Sequence, residues 1–174
     1  MKRAKRWDGN LSDFMKDYRY QPVLTAYLDG LGAKAFDQNV INEIVLWKVN
    51  RYANLSPNAL NALNGVAKIK PESRRKGAKV LSKLLQEPGV DLPMASTFLR
   101  FRNADAFQII DRHAYRAVYG EDYPLYSKSN EDQKIALYFL YLDELVKLAG
   151  AKHVRFRDLD RVLYMFDKQV NGTL

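Results

Sequence analysis

The stretch that decides the fold runs from Glu87 to Arg116 and reads EPGVDLPMASTFLRFRNADAFQIIDRHAYR. Pro88 followed by Gly89 cannot continue a helix, so the helix that precedes them must end there. From Met94 a helical period resumes, with Ala95, Phe98 and Leu99 on one side. After a short link, Asp111 stands directly behind Ile109 and Ile110 and directly before a further helical pattern that stops at Gly120. An aspartate so placed is expected to cap the helix, its carboxylate accepting a hydrogen bond from the first turn.

Upstream, KPESRRKGAKVLSKLLQEPG predicts one helix with Pro71 in its first turn. Ala78, Leu81, Leu84 and Leu85 form its apolar face, while Arg75, Lys79 and Lys83 recur every four residues on another. This helix, the Pro88-Gly89-Val90 turn and the helix carrying Ala95 together make a helix–hairpin–helix. A tight glycine turn leaves backbone N–H groups unpaired at the start of the second helix, and the helix dipole adds positive potential there, which suits phosphate. The basic face is the expected companion to such a backbone grip, although a merely solvated face has the same pattern.

Working outward, nearly every other segment also predicts helix. Ser12 and Asp13 can open one through FMKDYRY, with Pro22 marking a break or a fresh start. NVINEIVLWKVNRY is apolar around much of its circumference and is expected to be buried by its neighbours. Ser56 is a candidate cap with Pro57 at the first helical position. EDYPLYSKS predicts a loop, and Ser129 with Asp132 a capping box for a long helix ending at Gly150. The last helix carries Leu159, Val162, Leu163 and Phe166 at core spacing. The expectation is an all-α chain folded as a single domain over residues 1–174, with residues 1–9 as a flexible basic arm.

Composition narrows the classes of function. An apolar fraction of 47% opposes disorder, and the absence of cysteine excludes a disulfide framework, a thiol nucleophile and an iron–sulfur cluster held by cysteine. Two histidines, His113 and His153, make an all-nitrogen metal site an unexpected choice. No signal-peptide or transmembrane pattern is present, so an intracellular protein without a membrane partner is expected. The net charge of +8 favours a polyanionic partner, nucleic acid or an anionic membrane surface.

The hairpin and the residues after it, through Arg116, resemble the core signature of the helix–hairpin–helix DNA glycosylase superfamily, the fold shared with endonuclease III and the 8-oxoguanine glycosylases. Pro88, Gly89, Val90 and Ala95, then Asp111, His113 and Arg116, stand at that family's spacing. The resemblance implies a monomeric base-excision repair enzyme that acts on double-stranded DNA holding a damaged or mismatched base. Asp111 would be the catalytic carboxylate, His113 and Arg116 supports of the site, and Gly89, Val90, Lys83, Arg75 and Lys79 contacts to the DNA backbone. Trp47, Lys48 and Asn50 lie where relatives place a residue that reads the base or fills the gap it leaves, though Trp47 in so apolar a helix also fits a core position. The chain departs from the family at Glu87 and Asp91, two acids in the hairpin that would repel phosphate unless they point away or hold a bridging cation. Pro93 stands where bifunctional members carry the Schiff-base lysine, so no lyase step is expected. No cofactor is otherwise implied. A helix–hairpin–helix module that binds DNA without catalysis, with Asp111 as a plain cap, is the alternative. A protein-interaction domain is a third class.

Overall fold

The computed structural model describes residues 20–32, 35–49, 53–126 and 129–172. Ser12, Asp13, the basic arm over residues 1–9 and Asn50 lie outside them. The described residues form eight α-helices joined by turns and short 3-10 segments, with no strand among them. The chain divides into two compact units, Met1–Tyr52 and Ala53–Leu174.

In the first unit α1 (Pro22–Asp29) begins at its proline, and α2 (Gln38–Val49) follows. Trp47 donates its indole N–H to Thr25 Oγ1 at 2.9 Å, and the Tyr20 ring meets the indole edge-on at 5.1 Å. The expected burial of α2 is corrected. Val40 is its buried residue, whereas Ile41, Val45, Leu46 and Val49 are exposed. Apolar residues on all sides of a helix require partners on all sides, and within this unit α1 packs on α2 from one.

The second unit is built on α7 (Glu131–Lys152), whose inner face buries Tyr138, Phe139, Tyr141, Leu142 and Leu145. Against it pack α4 (Ala78–Leu85), α6 (Arg112–Tyr119) and other elements of the unit. The remaining helices are α3 (Pro57–Gly65), α5 (Leu92–Arg102) and α8 (Leu159–Val170). Ser56 caps α3 as expected, accepting from the Ala59 N–H at 3.2 Å.

Three local expectations shift. The cap of α7 lies one residue later: Asn130 accepts from the Gln133 N–H at 3.1 Å, and the Gln133 side chain returns the bond at 3.3 Å. Ser129 instead accepts from the Tyr126 N–H at 3.0 Å, because its hydroxyl faces the loop. The helix also passes through Gly150 and ends at His153, whose φ of 54° turns the chain. The basic helix is not continuous: Pro71–Gly77 is a 3-10 segment with Ser73 off helical geometry, and α-helix begins only at Ala78. Arg75 therefore leaves the register of Lys79 and Lys83.

On α8, Leu159 and Leu163 are buried as expected, but Val162 and Phe166 are about half exposed. Asp160 and Asp167 take the inward positions instead. Arg100 on α5 and Arg116 on α6 pair with these two acids and so set the rotation of the helix.

Gly77 lies so close to the core that a Cβ added there would sit 2.6 Å from Cζ of Phe107, a fully buried ring. Its backbone is ordinary helical, so alanine would gain in propensity and lose in packing. Gly77→Ala is expected to destabilise the fold by about 1–3 kcal/mol in urea unfolding, the overpacking cost exceeding the propensity gain.

Candidate functional site

Between α5 and α6 the backbone from Phe107 to Ile110 runs through the core in irregular conformation. Side chains meet several of its polar groups, and the Phe107 N–H donates to the Asn103 carbonyl at 3.1 Å. Tyr138 donates to the Gln108 carbonyl at 2.9 Å and Tyr141 to the Ile109 carbonyl at 3.0 Å. The Ile110 N–H donates to Ser96 Oγ at 3.2 Å, tying this segment to α5 about one turn beyond the hairpin. The buried Gln108 side chain donates to the Ala104 and Phe107 carbonyls and accepts from the Asp160 N–H at 3.3 Å. The residue delivered by this clamp is Asp111.

Asp111 caps α6: Oδ1 accepts from the Ala114 N–H at 2.7 Å. No other hydrogen bond reaches its carboxylate among the described residues. Asp111 also borders an open pocket of about 310 Å³ with Ile109, Ala114, Asp160, Arg161, Tyr164 and Met165. The walls are chiefly apolar, and the volume is at the small end of organic-ligand sites. Asp111 thus has both geometries that its sequence position allows, a cap and a carboxylate at a cavity. Its charge, after burial itself, helps hold the Tyr141 phenol well above its ordinary pKa, so Tyr141 remains a donor. The second carboxylate of the pocket, Asp160, is buried and engaged by Arg100 Nε at 2.9 Å.

His113 and Arg116 converge below the pocket on Asp167, which is fully buried. Arg116 donates through Nε and Nη2, both at 2.9 Å, to the two carboxylate oxygens. His113 Nδ1 lies 2.7 Å from Oδ2, and Asn171 donates to Oδ1 at 2.7 Å. Tyr164 meets the His113 ring edge-on at 5.0 Å, linking this network to the pocket wall. These two residues therefore clamp α8 to α6.

At the hairpin, Gly89 is exposed with φ of 77°, a left-handed turn that favours glycine. Val90 is a core side chain, and its N–H donates to the Glu87 carbonyl at 3.1 Å. The Val90 amide is thus already used within the turn. Glu87 points to α3, accepting from the Ser56 hydroxyl and from the Ser56 N–H at 3.0 Å, and these bonds lower its pKa. Asp91 points elsewhere. It caps α5 by accepting from the Leu92 N–H at 2.7 Å and pairs with Lys134 Nζ at 2.8 Å. The two acids thus serve different helices, and an anion already sits at the helix N-terminus.

Lys134 and Tyr141 are seven residues apart on the inner face of α7, about 10 Å along its axis. The hairpin at Asp91 and the segment before Asp111 therefore lie along one face of one helix.

The basic row is partly committed. Arg75 pairs with Asp143 and its guanidinium lies 5.4 Å from the Phe139 ring centre, while Lys83 donates to Asn58 at 3.0 Å. Lys79 is exposed. Trp47 and Lys48 belong to the first unit, with the Trp47 indole N–H given to Thr25. The pocket residues missed in the sequence are Asp160, Arg161, Tyr164 and Met165. One signal was present: Asp160 and Asp167 share a helical face with Leu163, which marks two acids turned inward.

Among the described residues, no cluster of three or more histidine, cysteine or acidic side chains could hold a metal ion, and no helix is long and apolar enough to cross a membrane. Neither family models, nor curated proteins, nor solved structures give a match to this chain.

The Asp167 carboxyl titrates well below the ordinary carboxylate range, chiefly because Arg116 hydrogen-bonds its charged form, against the opposing effect of desolvation. A carboxyl depressed in the fold stabilises it at pH values above its unfolded pKa of about 4, and that stabilisation is lost as pH falls toward the folded value. Asp167→Asn is expected to be less stable than wild type at pH 7. In unfolding experiments across pH, the difference should shrink as acidification proceeds below about pH 4. A constant difference down to about pH 2 would contradict the assignment.

Proposed function

We propose that this chain is a monofunctional DNA glycosylase of the helix–hairpin–helix kind, which hydrolyses the bond between deoxyribose and a damaged or mispaired base. The observation that supports it most is Asp111, a carboxylate bordering a pocket of about 310 Å³ and tied through Ile110 and Ser96 to the hairpin helix. As the bond from C1′ to the base nitrogen breaks, its electron pair leaves with the base and positive charge grows on the sugar. A carboxylate beside that carbon stabilises the charge and helps orient the water that replaces the base. The base has to leave the duplex stack first, and Tyr164 and Met165 offer it apolar contact. Pro93 occupies the position at which a lysine would form a Schiff base, which favours hydrolysis without a lyase step. In this reading the basic residues face duplex DNA.

A second reading, a DNA-binding module without catalysis, draws support from the hairpin. The Val90 amide and the α5 N-terminus already have protein partners, and Asp91 places negative charge where phosphate would sit.

The two readings separate on duplexes carrying a panel of base lesions, treated with alkali after incubation. The glycosylase produces strand breaks on at least one lesion, and Asp111→Asn reduces them by at least about a hundredfold. Asparagine caps helices as well as aspartate, so melting temperature should hardly change. Borohydride should trap no covalent complex. Folded protein that binds DNA but cleaves no lesion supports the module instead. Asp91→Asn keeps the cap and removes a negative charge from the turn, so duplex affinity at low salt should rise about threefold to tenfold. Unchanged affinity would remove the hairpin from the interface.

A further inference from the structure

Behind the pocket at Asp111 lies a second hollow, of about 260 Å³, lined by Arg100, Ala104, Arg155, Arg157, Asp158 and Arg161. Four arginines converge there from three places: the end of α5, the turn after α7 and the first turn of α8. Arg100 is buried and held by Asp160 at 2.9 Å and by the Arg157 carbonyl at 3.1 Å. These bonds take two of the five N–H donors that a guanidinium carries. Arg155 pairs with Asp158, and Arg157 with Asp105 at 3.2 Å, both on the surface where such pairs open at little cost. Arg161 has its backbone N–H on Asp160 Oδ1 at 2.9 Å, while no acid pairs with its guanidinium among the described residues. Arg161 lines both this hollow and the pocket at Asp111, so the two share a wall.

We infer that this arginine hollow binds a backbone phosphate of DNA, the one next to the nucleotide whose sugar and base enter the pocket at Asp111. The inference rests on the reading of that pocket as a nucleotide site. Planar guanidinium groups match phosphate oxygens with paired donors, and a buried, anchored Arg100 offers them without the entropy cost of a surface chain. The chiefly apolar walls of the pocket offer a phosphate little, and the hollow that shares Arg161 with it supplies the cationic donors. A phosphate gripped there would also resist withdrawal of the extruded nucleotide.

The test uses the full chain and duplexes containing a stable tetrahydrofuran abasic analogue, with either a natural phosphate or a neutral methylphosphonate at each position flanking it. Methylphosphonate at one flank should weaken binding by wild type about tenfold. Arg161→Gln should weaken binding to the natural duplex by a similar factor and become insensitive to the methylphosphonate. Arg161 is exposed, so the variant should melt as wild type does. Inorganic phosphate, titrated against the arginine Nε resonances, should shift Arg100 and Arg161 together. Additive losses from the two changes would overturn the proposal, as would wild-type affinity blind to every methylphosphonate. Phosphate-dependent NMR shifts without the duplex effect would also overturn it, since the hollow would then take free phosphate alone. Strand cleavage is read separately. Cleavage that depends on Asp111 without this phosphate effect sinks the hollow and spares the glycosylase. The phosphate effect without cleavage does the reverse.

Discussion

An irregular piece of backbone can be buried only if each of its peptide groups finds a partner, because an unpaired buried N–H or carbonyl costs as much as several favourable contacts return. Residues 107 to 110 are such a piece, and the rest of the second unit is arranged to satisfy them. Tyr138 and Tyr141 reach them from α7, Ser96 from α5, and the Gln108 side chain joins them to the start of α8. Loss of any one of these would leave an orphaned peptide group in the core. Asp111 inherits its position from that requirement. Its carboxylate stands at the pocket because the backbone before it has no other place to go.

The same logic governs α8. Asp160 and Asp167 lie on one face with Leu163, and each meets an arginine from another helix, Arg100 for the first and Arg116 for the second. Buried ion pairs are poor sources of net stability, since both charges must be withdrawn from water. Their effect here is on register. Two acids seven residues apart meet two fixed guanidiniums in only one rotation of the helix, and that rotation turns Tyr164 and Met165 toward Asp111. It also leaves Val162 and Phe166 half outside. The wall of the pocket is thus a consequence of where the charges are paired.

The positive charge of the chain is less available than its total suggests. Arg75, Arg100, Arg116, Arg155 and Arg157 each have an acid within ion-pair distance. The hairpin turn keeps its left-handed glycine but neutralises its own helix terminus through Asp91 and Lys134. Net charge describes the field at a distance, whereas recognition at contact depends on which donors still lack an acceptor.

Much of this protein can be read from its residues in order. The all-helical class, the proline starts at Pro22 and Pro57, the Ser56 cap, the break at Pro88-Gly89 and the helix opened by Asp111 and closed at Gly120 are all legible, because each is decided within three or four residues. Where two neighbouring side chains compete, as Ser129 and Asn130 do at the start of α7, the same local rules leave an error of one position. The exposed flank of α2, the arginine partners of the inward acids of α8 and the fate of the hairpin acids were not legible. The partner of Glu87 lies 31 residues away and that of Asp160 lies 60 away, distances over which a helical period carries no information. Chain order could name Asp111 and its cap. The pocket beside it needed α6, α8 and the segment before α6 to meet, since a cavity belongs to the space between elements and to none of them alone.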